Sequence, residues 1–160
     1  MIAIGRALLA VTLLLATASI APAVEANKPI LDSAQRLQPG AIKLWERLVN
    51  IDSGTDDPEG VNAVGAIVVE ELKTLGAAIE KVPALPAYGD NIVATLSGSG
   101  RGKVLLIAHM DTVFKKGDAA ARPFRIEGGR AYGPGVSDDK AGIVVALLSL
   151  IHISEPTRPY

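Results

Sequence analysis

Two short stretches carry side chains suited to chemistry, His109-Met110-Asp111 and Asp138-Asp139-Lys140. A neutral imidazole is a good ligand for Zn²⁺, and a carboxylate two residues on can fix the tautomer of the ring from behind. Taken alone, His-x-Asp is more often a capped or surface pair than a metal site, so the metal reading needs a second element. That element is Gly133-Pro-Gly-Val-Ser-Asp138-Asp139-Lys140-Ala141-Gly142, a glycine-rich turn that leads two adjacent carboxylates to the start of a helix. Adjacent acids repel one another unless cations compensate them. A helix N-terminus and Lys140 compensate in part, with Asp138 and Asp139 as N-cap and first-turn acid. A bridging pair of divalent metals compensates fully. On these residues alone both readings stand.

The elements around these stretches must position them. Val104 to Ala108 is apolar without alternation, the pattern of a strand buried on both faces. It places His109 and Asp111 at a strand's carboxyl end, where open α/β sheets build their sites. Ala78 to Val82 and Asn91 to Leu96 are two more strand candidates, and Phe124 to Glu127 with Arg130 to Tyr132 form a hairpin around Gly128-Gly129. From Asn27 to Pro39 the chain is polar with scattered apolar residues; after Pro39-Gly40, a first amphipathic helix spans Ala41 to Asn50, with Ile42, Trp45, Leu48 and Val49 at helical spacing. A second helix opens on Asp57 as N-cap, with Pro58 at the first helical position and Glu59 at the positive end of the dipole. Val61, Val64, Val68, Leu72 and Leu75 draw its apolar stripe and Gly76 closes it. The pattern turns helical again from Ala141 to about Leu148. Helices alternating with such strands give the α/β class.

The chain of 160 residues fits one domain, and 16 Lys+Arg against 17 Asp+Glu leave a net charge of -1. No electrostatic footprint for nucleic acid exists in that balance. With 49% hydrophobic and 21% charged residues a packed core is expected. Residues 1–26 read as a secretory signal: Arg6 near the start, an apolar run from Ala7 to Ala18, then Ala21-Pro22-Ala23 and Val24-Glu25-Ala26 as cleavage sites. The run is too short for a stable membrane anchor. The absence of cysteine excludes disulfides, and a periplasmic or secreted protein stable without cross-links is expected.

The segment from Leu44 through Gly142 resembles the co-catalytic zinc exopeptidases, the family that includes glutamate carboxypeptidase, aminoacylase and succinyl-diaminopimelate desuccinylase. The match is carried by Leu48-Val-Asn-Ile-Asp-Ser-Gly-Thr55, Gly89-Asp-Asn-Ile-Val93, His109-Met-Asp-Thr-Val113, Pro123-Phe-Arg125, Ala131-Tyr-Gly-Pro-Gly135 and Asp138-Asp-Lys140. It is strongest toward the glutamate carboxypeptidase type. The resemblance implies the N-terminal part of a doubly wound catalytic domain, a mixed sheet with flanking helices, without the lid domain. It implies that His109 ligates one zinc, that Asp111 orients the His109 imidazole, and that Asp138 bridges two zinc ions in the complete enzyme. Asp139 would not be a ligand, and a cis peptide would join Asp138 to Asp139. The implied substrate is a small peptide or N-acyl amino acid, and the full-length protein is expected to be a homodimer.

The sequence also departs from that pattern. The paired Glu residues of the family, one the general base and one a ligand, together with a further carboxylate and a distant His, would lie beyond Tyr160. A partial catalytic domain over residues 27–148, inactive by itself, is therefore expected. Ser149 to Tyr160 reads as a non-native tail that replaces the continuing helix, which removes His152 from the candidate ligands.

Overall fold

The structure is a computed structural model that describes residues 27–85 and 88–154, the last three by backbone alone. The expected signal at residues 1–26 lies outside the described residues, as do residues 155–160 of the expected tail. By contact the chain divides into Met1–Leu31 and Asp32–Tyr160. Of the first unit, residues 27–31 are described: they form the opening turn of helix α1 (Lys28–Val49), where Asn27 Oδ1 accepts the Ile30 N–H at 3.3 Å.

Helix α1 continues through Pro39, which the sequence pattern places outside it. A proline in a helix loses one hydrogen bond to the carbonyl four residues earlier. Here the apolar spacing carries across it: Leu37, Ala41, Leu44 and Leu48 lie on one face, with Leu44 and Leu48 buried. Helix α2 (Pro58–Thr74) starts as expected, with the Asp57 carboxylate accepting the Gly60 N–H at 3.1 Å and Pro58 in the first turn. It ends in a paired cap. Gly76, at φ 76°, donates to Lys73 O at 3.0 Å and Ala77 donates to Leu72 O at 3.2 Å, and the positive φ suits only glycine without strain.

Strands β1 (Ala78–Val82) and β2 (Asn91–Thr95) pair antiparallel, Ala78 opposite Thr95. After the short helix α3 (Asp118–Ala121), β3 (Arg125–Glu127) and β4 (Arg130–Tyr132) form the expected hairpin. Gly128 and Gly129, at φ 57° and 75°, supply the two left-handed turn positions. Helix α4 (Lys140–Ser154) begins at the expected place but continues past Leu148, so residues 149–154 are helical and the backbone shows no break at residue 149.

The core lies between α1, α2 and α4, where Leu44, Leu48, Val64, Leu72, Ile143, Val144 and Leu147 are buried together. Ile79 and Ile92 close it from the sheet side, and Met110 from the loop that carries the candidate site. The class is α/β with small antiparallel sheets. One expectation needs correction. Val104–Ala108 forms no strand, and Val104, Leu105 and Ile107 are 88%, 82% and 84% exposed. The lack of alternation predicts a strand covered on both faces, but a ladder needs a neighbour. Among the described residues no strand is laddered to this segment, so the expected mixed sheet appears only as two antiparallel pairs and one parallel bridge, Gly54 to Thr112. Among the described residues no helix is long and apolar enough to cross a membrane.

Candidate functional site

His109 and Asp111 are held by Met110, Thr112 and the remote Ser53–Thr55 loop rather than by a strand leading in. Met110 points inward and packs beneath α2, where a Cβ on Gly65 would come within 3.3 Å of its sulfur and 2.9 Å of Ile92 Cδ1. A larger residue at Gly65 would require the Ile92 and Met110 side chains to shift. With Met110 anchored, its two neighbours face outward, as alternation along an extended chain requires. Thr112 then locks the loop to Ser53-Gly54-Thr55: its N–H donates to Ser53 O at 2.7 Å and its carbonyl accepts the Thr55 N–H at 3.0 Å. Ser53 and Thr112 are both buried, and the Ser53 hydroxyl has no hydrogen-bond partner among the described residues.

The loop bearing Asp138 has further anchors of its own. Trp45 of α1 donates its indole N–H to Val136 O at 2.8 Å and meets Phe124 edge-on, with 5.2 Å between ring centres. Gly135 turns the chain at φ 68°, in a place where a Cβ would lie 2.5 Å from Thr112 Cγ2. Lys140 is fully buried, and its ammonium donates to Ile51 O at 2.7 Å. Burial pushes this ammonium down to about 8, with the charge of Asp52 opposing the shift. Asp52 in turn accepts the backbone N–H groups of Gly117 and Ala119, each at 2.8 Å.

These two loops bring the predicted residues together. His109 Nε2 lies 2.9 Å from Asp138 Oδ1, while Nδ1 on the far side of the ring faces Asp111, 3.0 Å from its carbonyl and 3.2 Å from Oδ1. The Asp138–Asp139 peptide is cis. Asp139 occupies the cap of α4: its carbonyl accepts the Ile143 N–H at 3.0 Å and its Oδ2 takes the His109 backbone N–H at 3.4 Å. The triplet opens to water, the His109 side chain being half exposed and that of Asp138 87% exposed. A cavity of about 280 Å³ lies over it, walled by Thr55, Thr112, Phe114 and Val136 as well as the triplet.

Burial of the His109 ring opposes its charged form, but hydrogen bonding to Asp138 and Asp111 outweighs that cost and holds the imidazole above its ordinary 6.5. Asp111 is held below 3.8, first by the Thr55 hydroxyl, which donates to Oδ2 at 2.6 Å, against the cost of burial and with help from His109. Thr55 is the site residue that the sequence does not single out. It lies in the stretch Leu48 to Thr55, but its contact with Asp111 spans 56 residues of sequence.

The donor set fits a divalent ion in part. Two ligands of a tetrahedral zinc at about 2.0 to 2.2 Å lie roughly 3.4 Å apart, so Nε2 and Oδ1 need to separate only slightly to share one. A histidine backed by a carboxylate is also the usual arrangement behind a zinc-bound imidazole. Among the described residues no third donor joins them.

The chain is similar to known proteins across the segments that carry these residues. A model of peptidase family M20/M25/M40 matches residues 105–159, the part that contains both loops. Carboxypeptidase G2 of Pseudomonas sp. (strain RS-16) is 43% identical over 150 residues, which are 91% of this chain and 36% of that protein. Acetylornithine deacetylase of Proteus mirabilis (strain HI4320) is 34% identical over 133 residues, 76% of this chain and 34% of that protein. The chain thus spans about a third of the length of the curated relatives it matches. Both loops lie inside the matched region and the similarity runs along nearly the whole sequence, so the chain is similar to peptidase family M20/M25/M40 through the part that carries the candidate site.

Proposed function

We propose that this chain is part of a zinc-dependent exopeptidase that hydrolyses the amide or peptide bond before a C-terminal glutamate. The observation that carries the reading is the convergence of His109 Nε2 and Asp138 Oδ1 at 2.9 Å, with Asp111 behind the ring. In that role His109 and Asp138 hold the metal, and Asp111 accepts the Nδ1 proton so that the Nε2 lone pair is free to bind. The chemistry a zinc pair supplies is polarisation of the scissile carbonyl and activation of the attacking water. The 43% identity to carboxypeptidase G2 supports the carboxypeptidase reading. The match to acetylornithine deacetylase favours a second, hydrolysis of an N-acyl amino acid by the same residues. Residues 1–26 would export the protein to the periplasm or beyond, which N-terminal sequencing of the expressed protein tests through cleavage after Ala23 or Ala26.

Zinc titration of the purified chain against a chromophoric chelator tests the metal reading. Binding should be weak, because two side chains fill only half of a four-coordinate shell, and His109→Ala or Asp138→Ala should each abolish it. Unchanged binding in both variants would refute the site. For substrate class, a version extended to the length of its relatives should release glutamate from an N-acylated glutamate in a chelator-sensitive manner. Preference for N-acetyl ornithine would favour the second reading.

A further inference from the structure

The hydroxyl of Thr55 has a position that folding alone does not require. It sits on the wall of the cavity, and its shortest contact is not to the neighbouring Thr112 carbonyl, 3.4 Å away, but to Asp111 Oδ2 at 2.6 Å. The other Asp111 oxygen, Oδ1, faces His109 Nδ1. One carboxylate is therefore shared between a hydroxyl and an imidazole, each on its own oxygen. The Thr55 backbone is placed by its N–H to Thr112 O at 3.0 Å and by the parallel bridge between Gly54 and Thr112. Those bonds survive whatever side chain residue 55 carries.

We infer that Thr55 is a positioning residue for the metal ligand His109, acting through Asp111. A carboxylate held by the imidazole alone can rotate about its Cβ–Cγ bond or turn to solvent, and Asp111 is partly open to water. A second bond on Oδ2 removes that freedom and keeps Oδ1 on Nδ1. The Nδ1 edge of the ring is then held on Asp111, and the Nε2 edge is kept facing Asp138. The inference rests on the zinc reading above for its consequence in affinity, but the tautomer it predicts does not need a metal.

Thr55→Val removes the donor and keeps the shape; Thr55→Ser restores it. Loss of an outer partner of a metal-bound histidine typically costs about 10- to 100-fold in metal affinity, and that is the loss expected of Thr55→Val, with Thr55→Ser at the wild-type value. The same substitution made in an Asp111→Ala background should cost nothing further, because the route through the carboxylate is already gone. In a metal-free Asp138→Ala background, where no carboxylate faces Nε2, nitrogen NMR of the imidazole above its titration range should show the proton on Nδ1 with Thr55 or Thr55→Ser, and shifted toward Nε2 with Thr55→Val. The His109→Ala variant identifies which histidine is observed. An unchanged tautomer and affinity in Thr55→Val, or an equal loss with and without Asp111, would overturn the inference. If the wild-type chain binds no zinc at His109, the metal reading fails, and the tautomer comparison alone decides the role of Thr55.

Discussion

Val104–Ile107 and Ser53-Gly54-Thr55 lie on either side of the same histidine and are held in opposite ways. The first leads directly into His109 and is apolar, yet three of its four side chains are more than four-fifths exposed. The second is distant in sequence, small and polar, yet Ser53 and Gly54 are buried and their backbone is bonded to Thr112 on both sides. The position of His109 and Asp111 therefore depends on hydrogen bonds to a remote loop and on the inward anchor at Met110, and not on the hydrophobic run that precedes them. Apolar content by itself places nothing, because burial needs a second surface to bury against.

The contrast is most sharply tested by truncating one leucine in each environment. Leu48, fully buried at the centre of the three helices, should cost about 2 to 5 kcal/mol when changed to Ala. Leu105→Ala, on the exposed run, should change stability by less than about 0.5 kcal/mol. Urea denaturation of both variants measures the difference, and equal costs would mean that the run is covered.

The polar side of the comparison can be broken at Asp52, which accepts two backbone N–H groups beside the buried Lys140 ammonium. Asp52→Ala leaves those donors without their acceptor and should cost about 2 kcal/mol, the scale of a charged hydrogen bond inside a protein. Asp52→Asn should recover part of it. A loss no larger than that of Leu105→Ala would show that the polar loop is not what holds the site.

Smaller effects should appear in solubility and in acid. Replacing Val104 and Ile107 by Lys should leave the urea midpoint unchanged while reducing aggregation on concentration, since an exposed apolar run without a ladder partner invites pairing with other chains. Light scattering at matched concentration reads this out. The smallest effect is at Asp118, whose carboxyl is lowered from 3.8 first by the Lys115 N–H and then by Arg122. A group whose folded pKa is depressed stabilises the fold above its unfolded pKa and loses that contribution as the pH falls through the folded value. Asp118→Asn should therefore be slightly destabilising near neutral pH and indistinguishable from wild type well below pH 3.8.

Much of this is legible in the sequence, for local reasons. Asp57-Pro58 and Gly128-Gly129 specify a helix start and a tight hairpin through their own backbone preferences, and both form where the sequence puts them. The stretches holding His109 and Asp138 also stand out by residue type, the family resemblance pairs the two residues, and the structure brings them within hydrogen-bonding distance. Three features escape the sequence for non-local reasons. Pro39-Gly40 looks like a break, but one lost hydrogen bond is outweighed when the apolar face continues from Leu37 through Ala41 to Leu48. Val104–Ala108 looks like a buried strand because composition cannot say whether a neighbour is present. Thr55 gives no local signal at all, since a threonine in a polar loop acquires its role only when the chain brings Asp111 to it.

The contact between Trp45 and Val136 gives the molecule an optical reporter. Trp45 is its one tryptophan, and its indole is bonded to the loop that presents Asp138 while stacked edge-on against Phe124. Any displacement of that loop, whether by an ion drawing Asp138 toward His109 or by a substitution that releases it, must change the polarity and quenching around this single fluorophore. The emission of the unlabelled chain thus registers the geometry of the site directly, without a substrate.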